Sequence, residues 1–329
     1  DMTTYHDAIN GKKELLELTK RANNASLPDI EIVDLRHELA SGNKTMVSQK
    51  LHDEIEENLK NKKQTILFLN RRGFATFIMC RDCGYTAKCK NCDITLTYHL
   101  KENKLKCHYC GYETKALTVC PECGGKNIRY FGTGTQKLEE QIKTMFPDAT
   151  TIRMDIDTVT KKNSHEDILN SFKKDGIDIL IGTQMVVKGH DFPNVTLVGV
   201  IAADSSLNID DYRAHERTFQ TLTQVAGRAG RGKDKGRVII QTYNPDAFCI
   251  QYSQKQDYKL FYDTEIHLRK QLRYPPFCDI ILIGVSSKSY KELEETSNKI
   301  YESLKAKIHT EKLQILLYKP VPAPIDRIK

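Results

Sequence analysis

Nowhere in the 329 residues is there a run of eighteen or more apolar residues, so no segment qualifies as a membrane-spanning helix, and no charged-then-apolar leader opens the chain. The expectation is a cytoplasmic chain with no membrane partner. Two further absences concern nucleotides. No Gly-x-x-x-x-Gly-Lys-Ser/Thr phosphate loop occurs, and no acidic motif followed by histidine offers a magnesium ligand, so the usual grip on a nucleoside triphosphate is missing from these residues. A Cys-x-x-Cys-His string is absent too, which excludes covalent haem attachment. Charge of one sign is in only mild excess: a formal +7 permits a nucleic-acid partner without demanding one. With 39% hydrophobic and 28% charged residues, the chain can form two or three folded units.

Cysteine, by contrast, is concentrated. Eight of the ten cysteines stand in four Cys-x-x-Cys pairs: Cys80 and Cys83, Cys89 and Cys92, Cys107 and Cys110, Cys120 and Cys123. Each pair can give two thiolates to a tetrahedral ion, so the eight imply two Zn2+ ions. A disulfide scaffold would spread along the chain, an iron-sulfur cluster favours a denser Cys-x-x-Cys-x-x-Cys run, and a redox dithiol is a single pair. Three pairings of the knuckles are open. The nested one is preferred, because Ile94–His99 and Lys104–Lys106 look like the arms of a hairpin around residues 101–104, which brings the inner pairs together and lets the outer pairs close on each other. Four sulfurs leave no position for water, so the metal is structural and the module's function is a surface. Residues 80–126 hold eight Lys and Arg against five Asp and Glu. Eight thiolates with two divalent ions add about four negative charges, so basicity makes no case for DNA there. Tyr85, Tyr98, Tyr109 and Tyr112 could stack on bases or cover the small ribbons. His99 and His108 are not needed as ligands, and Cys249 and Cys278 read as packed small apolar residues.

Around the cysteines, strands and helices alternate. Ile30–Arg36, Gln64–Asn70, Thr150–Met154, Ile177–Ile181, Val195–Ala203 and Gly236–Tyr243 read as strands. Gln49–Lys60, a helix ending near Phe146, His165–Lys173 and the Arg-Ala-Gly-Arg segment read as helices between them. Six strands so separated describe a parallel, doubly wound α/β sheet with the cysteine module as an insertion. Residues 1 to about 28 give a helical pattern. Past Asn244-Pro245 a helix over about Gln256–Leu272 is stopped by Tyr274-Pro-Pro276, and a strand Asp279–Ser286, a helix Tyr290–Ala306 and a strand Gln314–Tyr318 suggest a small α+β domain.

The chemistry is carried by Gln224-Val-Ala-Gly-Arg-Ala-Gly-Arg231. Gln224, Arg228 and Arg231 stand at i, i+4 and i+7, so on a helix they share one face. Gly227 and Gly230 each cost a helix about 1 kcal/mol relative to alanine, which implies another backbone or a ligand close by. Two arginines that cannot deprotonate suit a polyphosphate or the charge of phosphoryl transfer; the bland alternative is a solvated basic turn.

This stretch resembles motif VI of superfamily 2 helicases, and Gly182-Thr-Gln-Met-Val-Val-Lys-Gly-His-Asp191-Phe-Pro-Asn-Val195 resembles their motif V. With Leu67-Phe-Leu-Asn-Arg-Arg-Gly73, the four cysteine pairs and Asp211-Tyr-Arg-Ala-His-Glu-Arg-Thr-Phe-Gln220, the chain is similar over nearly its whole length to the primosomal replication-restart helicases of that superfamily. The resemblance implies an ATP-driven 3′ to 5′ DNA helicase that acts at stalled or repaired forks. It implies a RecA-like second motor lobe over 29–79 and 127–245, a two-zinc insertion at 80–126 in the nested pairing, a linker helix and α+β domain at 246–329, and the tail of a preceding lobe at 1–28. The phosphate loop and magnesium ligand would belong to that earlier lobe, so the chain is expected to be a fragment, inactive alone.

Site roles follow by resemblance. Arg228 and Arg231 would face the triphosphate, with Gln224 nearer the water or the coupling interface, and Gly189 and Asp191 would face the cleft that holds ATP and Mg2+. Gly182 and Thr183 would grip a phosphate of single-stranded DNA, Gly132, Thr133, Gly134 and Thr135 would offer amides and a helix N-terminus to another, and Asn70 and Arg71 would also meet DNA. Gln136 stands where relatives commonly have Glu, which weakens a charged role there. Implied partners are single-stranded and forked DNA, primosome proteins, single-stranded DNA-binding protein and the replicative helicase loader, in the bacterial nucleoid. The competing classes are a nucleotide-independent, zinc-stabilised module that binds DNA or proteins, and an RNA helicase.

Overall fold

Strand β2 (Gln64–Phe68), with its threonine and consecutive large apolar residues, is buried on both faces, as a central strand of a parallel sheet must be. It follows α1 (Met2–Ile9), β1 (Asp29–Asp34), α2 (Leu35–Ala40) and α3 (Gln49–Lys60). Next come the short strands β3 (Phe77–Cys80), β4 (Thr97–His99), β5 (Lys104–Lys106), β6 (Glu113–Lys115) and β7 (Ile128–Phe131). The lobe resumes with α4 (Thr135–Met145), β8 (Thr151–Met154), α5 (Ser164–Lys174), β9 (Ile179–Gly182), β10 (Val195–Val200), α6 (Asp204–Leu207), α7 (Ala214–Ala226) and β11 (Arg237–Thr242). Helices α8 (Phe248–Lys255), α9 (Tyr258–Leu272) and α10 (Tyr290–Thr310) complete the chain. The computed structural model describes residues 1–18, 27–70, 77–100, 102–131, 134–155, 164–174, 176–183, 192–232 and 234–323.

Six strands form one parallel sheet in the order β1-β11-β10-β2-β9-β8. Alternate residues of each strand serve opposite faces. Leu67, Ile179, Ile181, Leu197 and Ile239 meet Leu51 and Ile55 of α3 and Leu138 and Ile142 of α4. Ile66, Leu180, Val198 and Ile240 meet Phe172 of α5, Phe219 and Leu222 of α7 and Phe261 of α9. Helices on both faces are the doubly wound arrangement that the alternation implied. The cysteine module inserts between β2 and α4, on an antiparallel stem of β3 and β7, and ends in a three-stranded ribbon β4-β5-β6. The expected hairpin is the β4-β5 pair, Thr97 opposite Lys106 and His99 opposite Lys104.

Three departures have local causes. The first helix stops at Ile9, where Asn10 caps it and Gly11 turns left-handed (φ +77°), so Leu15, Leu16 and Leu18 lie in exposed coil. Met2 instead enters the core and Tyr5 packs edge-on against Tyr258 and Tyr262 of α9. Helix α7 ends at Ala226, with Gly227 as its cap, so Arg228 and Arg231 lie beyond the helix rather than on its face. Among the described residues the segments 279–286 and 314–318 pair with no strand, and α10 buries none of its residues, leaving Ile281, Leu282 and Leu316 exposed. Alternation marks a potential strand, but a ladder requires a neighbouring strand and a face to cover, and these segments have neither here.

Candidate functional sites: two metal centres and two sheet edges

The four cysteine pairs fold into four copies of one turn. In each, the first cysteine's carbonyl accepts the amide of the fourth residue on: Gly84 to Cys80, Asp93 to Cys89, Gly111 to Cys107 and Gly124 to Cys120, at 2.8–3.0 Å. Its own amide returns to the carbonyl of the fifth, Tyr85, Ile94, Tyr112 and Gly125, at 2.8–2.9 Å. The fourth residue is left-handed every time, which is why three of the four are glycine. Each turn aims its two sulfurs the same way, and the turns gather as Cys80, Cys83, Cys120 and Cys123, and as Cys89, Cys92, Cys107 and Cys110, with the Sγ atoms of each set within 4.8 Å of one another. Cys80 and Cys123 are 3.7 Å apart, Cys83 and Cys120 3.6 Å, and Cys89 and Cys110 3.5 Å. A tetrahedron of Zn–S bonds has edges of about 3.8 Å, so both sets fit the ion. The nested arrangement is the one the chain adopts.

The module lies against the lobe. A Cβ on Gly84 would come within 2.3 Å of the Tyr243 carbonyl oxygen, Arg36 donates to the Cys83 carbonyl at 3.5 Å, and Thr86 donates to Asn208 at 3.0 Å. Tyr98 is buried in the ribbon core, with Tyr85, Tyr109 and Tyr112 half-buried around it, so the tyrosines cover the ribbons. His99 and His108 face each other with Nε2 atoms 3.3 Å apart and join neither cluster.

Residues from three distant segments converge on the carboxyl edge of the sheet. Gly182 closes β9, its carbonyl accepting Leu69 N–H at 2.9 Å, and Thr183, mostly buried, donates its amide to the Met154 carbonyl at 3.4 Å. Asn70, just past β2, donates its side-chain amide to the Ser206 hydroxyl. Gly134 is the N-cap of α4, whose first turn holds no acidic residue and has no side-chain cap. Thr135 is fully buried, and its hydroxyl donates to Asp155 at the end of β8, where Arg153 also pairs with Asp155 at 3.5 Å. Thr135 thus anchors the helix start, and the first amides of α4 have no side-chain cap. Gly132, Thr133 and Arg71 lie outside the described residues.

The arginine turn sits at the opposite, amino edge. Gly230 N–H donates to the carbonyl of Val195, the first residue of β10, at 3.0 Å. Gly230 has φ +71°, and a Cβ there would lie 2.3 Å from the Gly236 amide nitrogen; one on Gly232 would lie 2.3 Å from the Pro193 carbonyl oxygen. The glycines are therefore close-approach residues, though not inside a helix. Arg231 is exposed, its Nε donating to the Gly227 carbonyl at 2.9 Å; Arg228 is half-buried, and Gln224 is exposed on the last turn of α7. Gly189 and Asp191 lie outside the described residues; Pro193 abuts the arginine turn at Gly232. Val195 to Val200 spans β10, so the two edges are separated by roughly 16 Å of strand.

A model of the PriA DNA helicase Cys-rich region matches residues 89–115, and one of the helicase conserved C-terminal domain matches residues 114–233. Replication restart protein PriA of Bacillus subtilis is 46% identical over 328 residues, all of this chain and 40% of the relative. The Synechocystis protein of the same name is 42% identical over 99% of the chain and 39% of its own length, and that of Borreliella burgdorferi 38% over 92% and 45%. The chain belongs to the PriA family. It spans under half the length of the curated PriA proteins it matches. The described residues contain no helix long and apolar enough to cross a membrane.

Some structural residues of this PriA-family chain went unread. Arg269 of α9 is buried between Glu216 of α7 (2.8 Å) and Glu265 (2.9 Å), and His215 lies 3.1 Å from Glu265. Glu216 also accepts the Met2 amide at 2.8 Å. Asp211 accepts Arg213 and pairs with Arg217 at 2.9 Å; burial pushes its carboxyl up, but these arginines hold it below the ordinary carboxylate range. Asp204 is fully buried, and burial raises its carboxyl above that range although Asn244 and the Tyr243 amide donate to it. The available signal was the i,i+4 spacing of Glu265 and Arg269, which on sequence reads as a solvated helix pair.

Proposed function

We propose that this chain forms the second motor lobe and zinc module of an ATP-dependent 3′ to 5′ DNA helicase that restarts replication at stalled or repaired forks. The observation that carries the proposal is the division of the lobe into two edges. Residues suited to phosphate contact meet at the carboxyl edge from three separate segments, and an arginine turn is pinned at the amino edge against Pro193 and Gly236. A translocating motor needs its strand site and its nucleotide site on one rigid body, so that a change at one displaces the other.

In this reading the loops at Thr183, Gly134 and Asn70, with Gly182, Gly132, Thr133 and Arg71, hold the backbone of one DNA strand, which is independent of base sequence, while the buried Thr135 fixes the helix start behind them. Arg228 and Arg231 place positive charge where charge develops on the transferred phosphoryl group, Gln224 orients the water or the coupling interface, and Gly189 and Asp191 complete the cleft. When bound, ATP would supply the phosphoryl group and Mg2+ would neutralise its charge. Two Zn2+ ions held by the eight thiolates staple an insertion too small to fold on its own core. Primosome proteins, the single-stranded DNA-binding protein and the replicative helicase loader are the partners proposed, in the nucleoid.

The test is Arg231→Ala in the complete protein. DNA-stimulated phosphate release should fall by about 2 kcal/mol of transition-state stabilisation or more, since arginine fingers contribute on the order of 10³-fold. Affinity for single-stranded DNA without nucleotide should be unchanged. Loss of DNA binding with hydrolysis intact would reverse the assignment of the two edges.

A further inference from the structure

The inner four-sulfur site is not closed by the cysteine module alone. Tyr274, just past the end of α9, reaches from outside the module and donates its hydroxyl to the backbone carbonyl of Cys92 at 2.7 Å. Its ring is buried within the apolar cluster that surrounds the inner cysteines. On its other side the ring stacks on Tyr212, with centroids 5.0 Å apart and planes 16° from parallel. Tyr212 in turn carries the Arg269 guanidinium 5.3 Å from its ring centre, and that guanidinium is held by Glu216 and Glu265. Every member of this line is fixed by the next, and the line ends on a metal-ligating residue.

We propose that Tyr274 is a positioning residue of the inner metal site, supplied by the linker helix and held in place by Tyr212. The Cys92 carbonyl belongs to the same short turn that carries the Cys92 sulfur. A donor fixed on that carbonyl sets the turn's orientation and so the direction of the thiolate. Groups that orient a ligand from behind typically govern metal retention by 10- to 100-fold. Among the described residues the outer site has no equivalent: the Cys83 carbonyl receives only the long Arg36 contact at 3.5 Å. The two ions should therefore be lost at different rates, and only the inner one should respond to α9. This rests on the two-ion reading above.

The experiment uses the intact, metal-loaded protein and a chelator with a metal-sensitive dye, so that each equivalent is followed as it leaves. Parent protein should release two equivalents. Tyr274→Phe keeps the ring and its packing but removes the hydroxyl, and should release one equivalent about tenfold faster while leaving the other unchanged. Tyr212→Phe, which preserves the stack, should behave as the parent, whereas Tyr212→Ala should match Tyr274→Phe. In the Co2+-substituted protein the thiolate charge-transfer band of one site alone should shift on Tyr274→Phe. Equal release rates in parent and Tyr274→Phe, or equal acceleration of both equivalents, would overturn the proposal. A parent holding fewer than two equivalents would instead overturn the two-ion reading beneath it.

Discussion

Gly227 and Gly230 are three residues apart in one motif, yet the structure gives them opposite tolerances. Gly227 has φ −66° and a Cβ there would meet nothing closer than 3.5 Å, so alanine fits. Gly230 has φ +71° and would drive a methyl to 2.3 Å from the Gly236 amide nitrogen and 2.7 Å from its Cα, backbone that cannot swing aside. Gly227→Ala should therefore be neutral or stabilise by roughly 0.5 kcal/mol through the unfolded chain. Gly230→Ala should cost about 2–3 kcal/mol, from the left-handed strain and the clash together. Thermal unfolding checks both: about 3–4 °C of loss is expected for Gly230→Ala at this chain size. Equal melting temperatures for the two variants would show that the turn is not pinned as described. The same close approach explains why the arginines leave the helix. Gly230 must reach the start of β10, and a continued helix would carry it away.

At the scale of elements, α7 is the member that touches everything. Its last turn leads to the arginines, its first turn holds Glu216, and the segment just before it supplies Asp211 and Tyr212. Arg269→Met in α9 would leave Glu216 and Glu265 buried without their cation, which should destabilise by about 3–5 kcal/mol. The triple change Glu216→Gln, Arg269→Met and Glu265→Gln should recover most of that loss, since no unpaired charge is then buried. A single variant as stable as the parent in urea unfolding would mean that water reaches the cluster. This cluster also marks where reading the sequence stopped. The inner strands of the sheet were legible because two-sided burial leaves unbroken apolar runs, β1 because it alternates, and the nested cysteines because spacing and a hairpin are local signals. The Glu216–Arg269–Glu265 cluster was not, because Glu216 lies 53 residues from Arg269 and an i,i+4 pair looks like solvated surface until the fold buries it. The end of α7 at Ala226 was missed for a related reason: the contact that stops it, Gly230 on Gly236, is set by tertiary packing rather than by helical period. The unpaired 279–286 and 314–318 segments were over-read, since alternation reports two-facedness and says nothing of a partner strand.

For the molecule as a whole, the decisive feature is one-sidedness. In the proposed assignment the arginine turn presents charge to one flank of a triphosphate, and the sequence contains neither a phosphate-loop lysine nor a magnesium-holding acidic motif to supply the other flank. Phosphoryl transfer is mostly positioning and charge neutralisation, so half of a cleft should retain almost none of the catalysis. The purified 329-residue chain should therefore neither release phosphate from ATP nor unwind DNA. If the carboxyl edge is the strand site proposed above, weak binding to single-stranded DNA should survive without a complete nucleotide cleft and decline steeply with salt, as backbone phosphate contacts do. The decisive comparison is DNA-stimulated phosphate release by this chain and by a longer chain that includes a phosphate-loop lobe. Turnover by the 329 residues alone would mean that a nucleotide site exists within them that neither edge explains. Inactivity of the longer chain, with DNA binding intact, would favour a zinc-stabilised binding module over a motor, because the arginines would then have no triphosphate to answer.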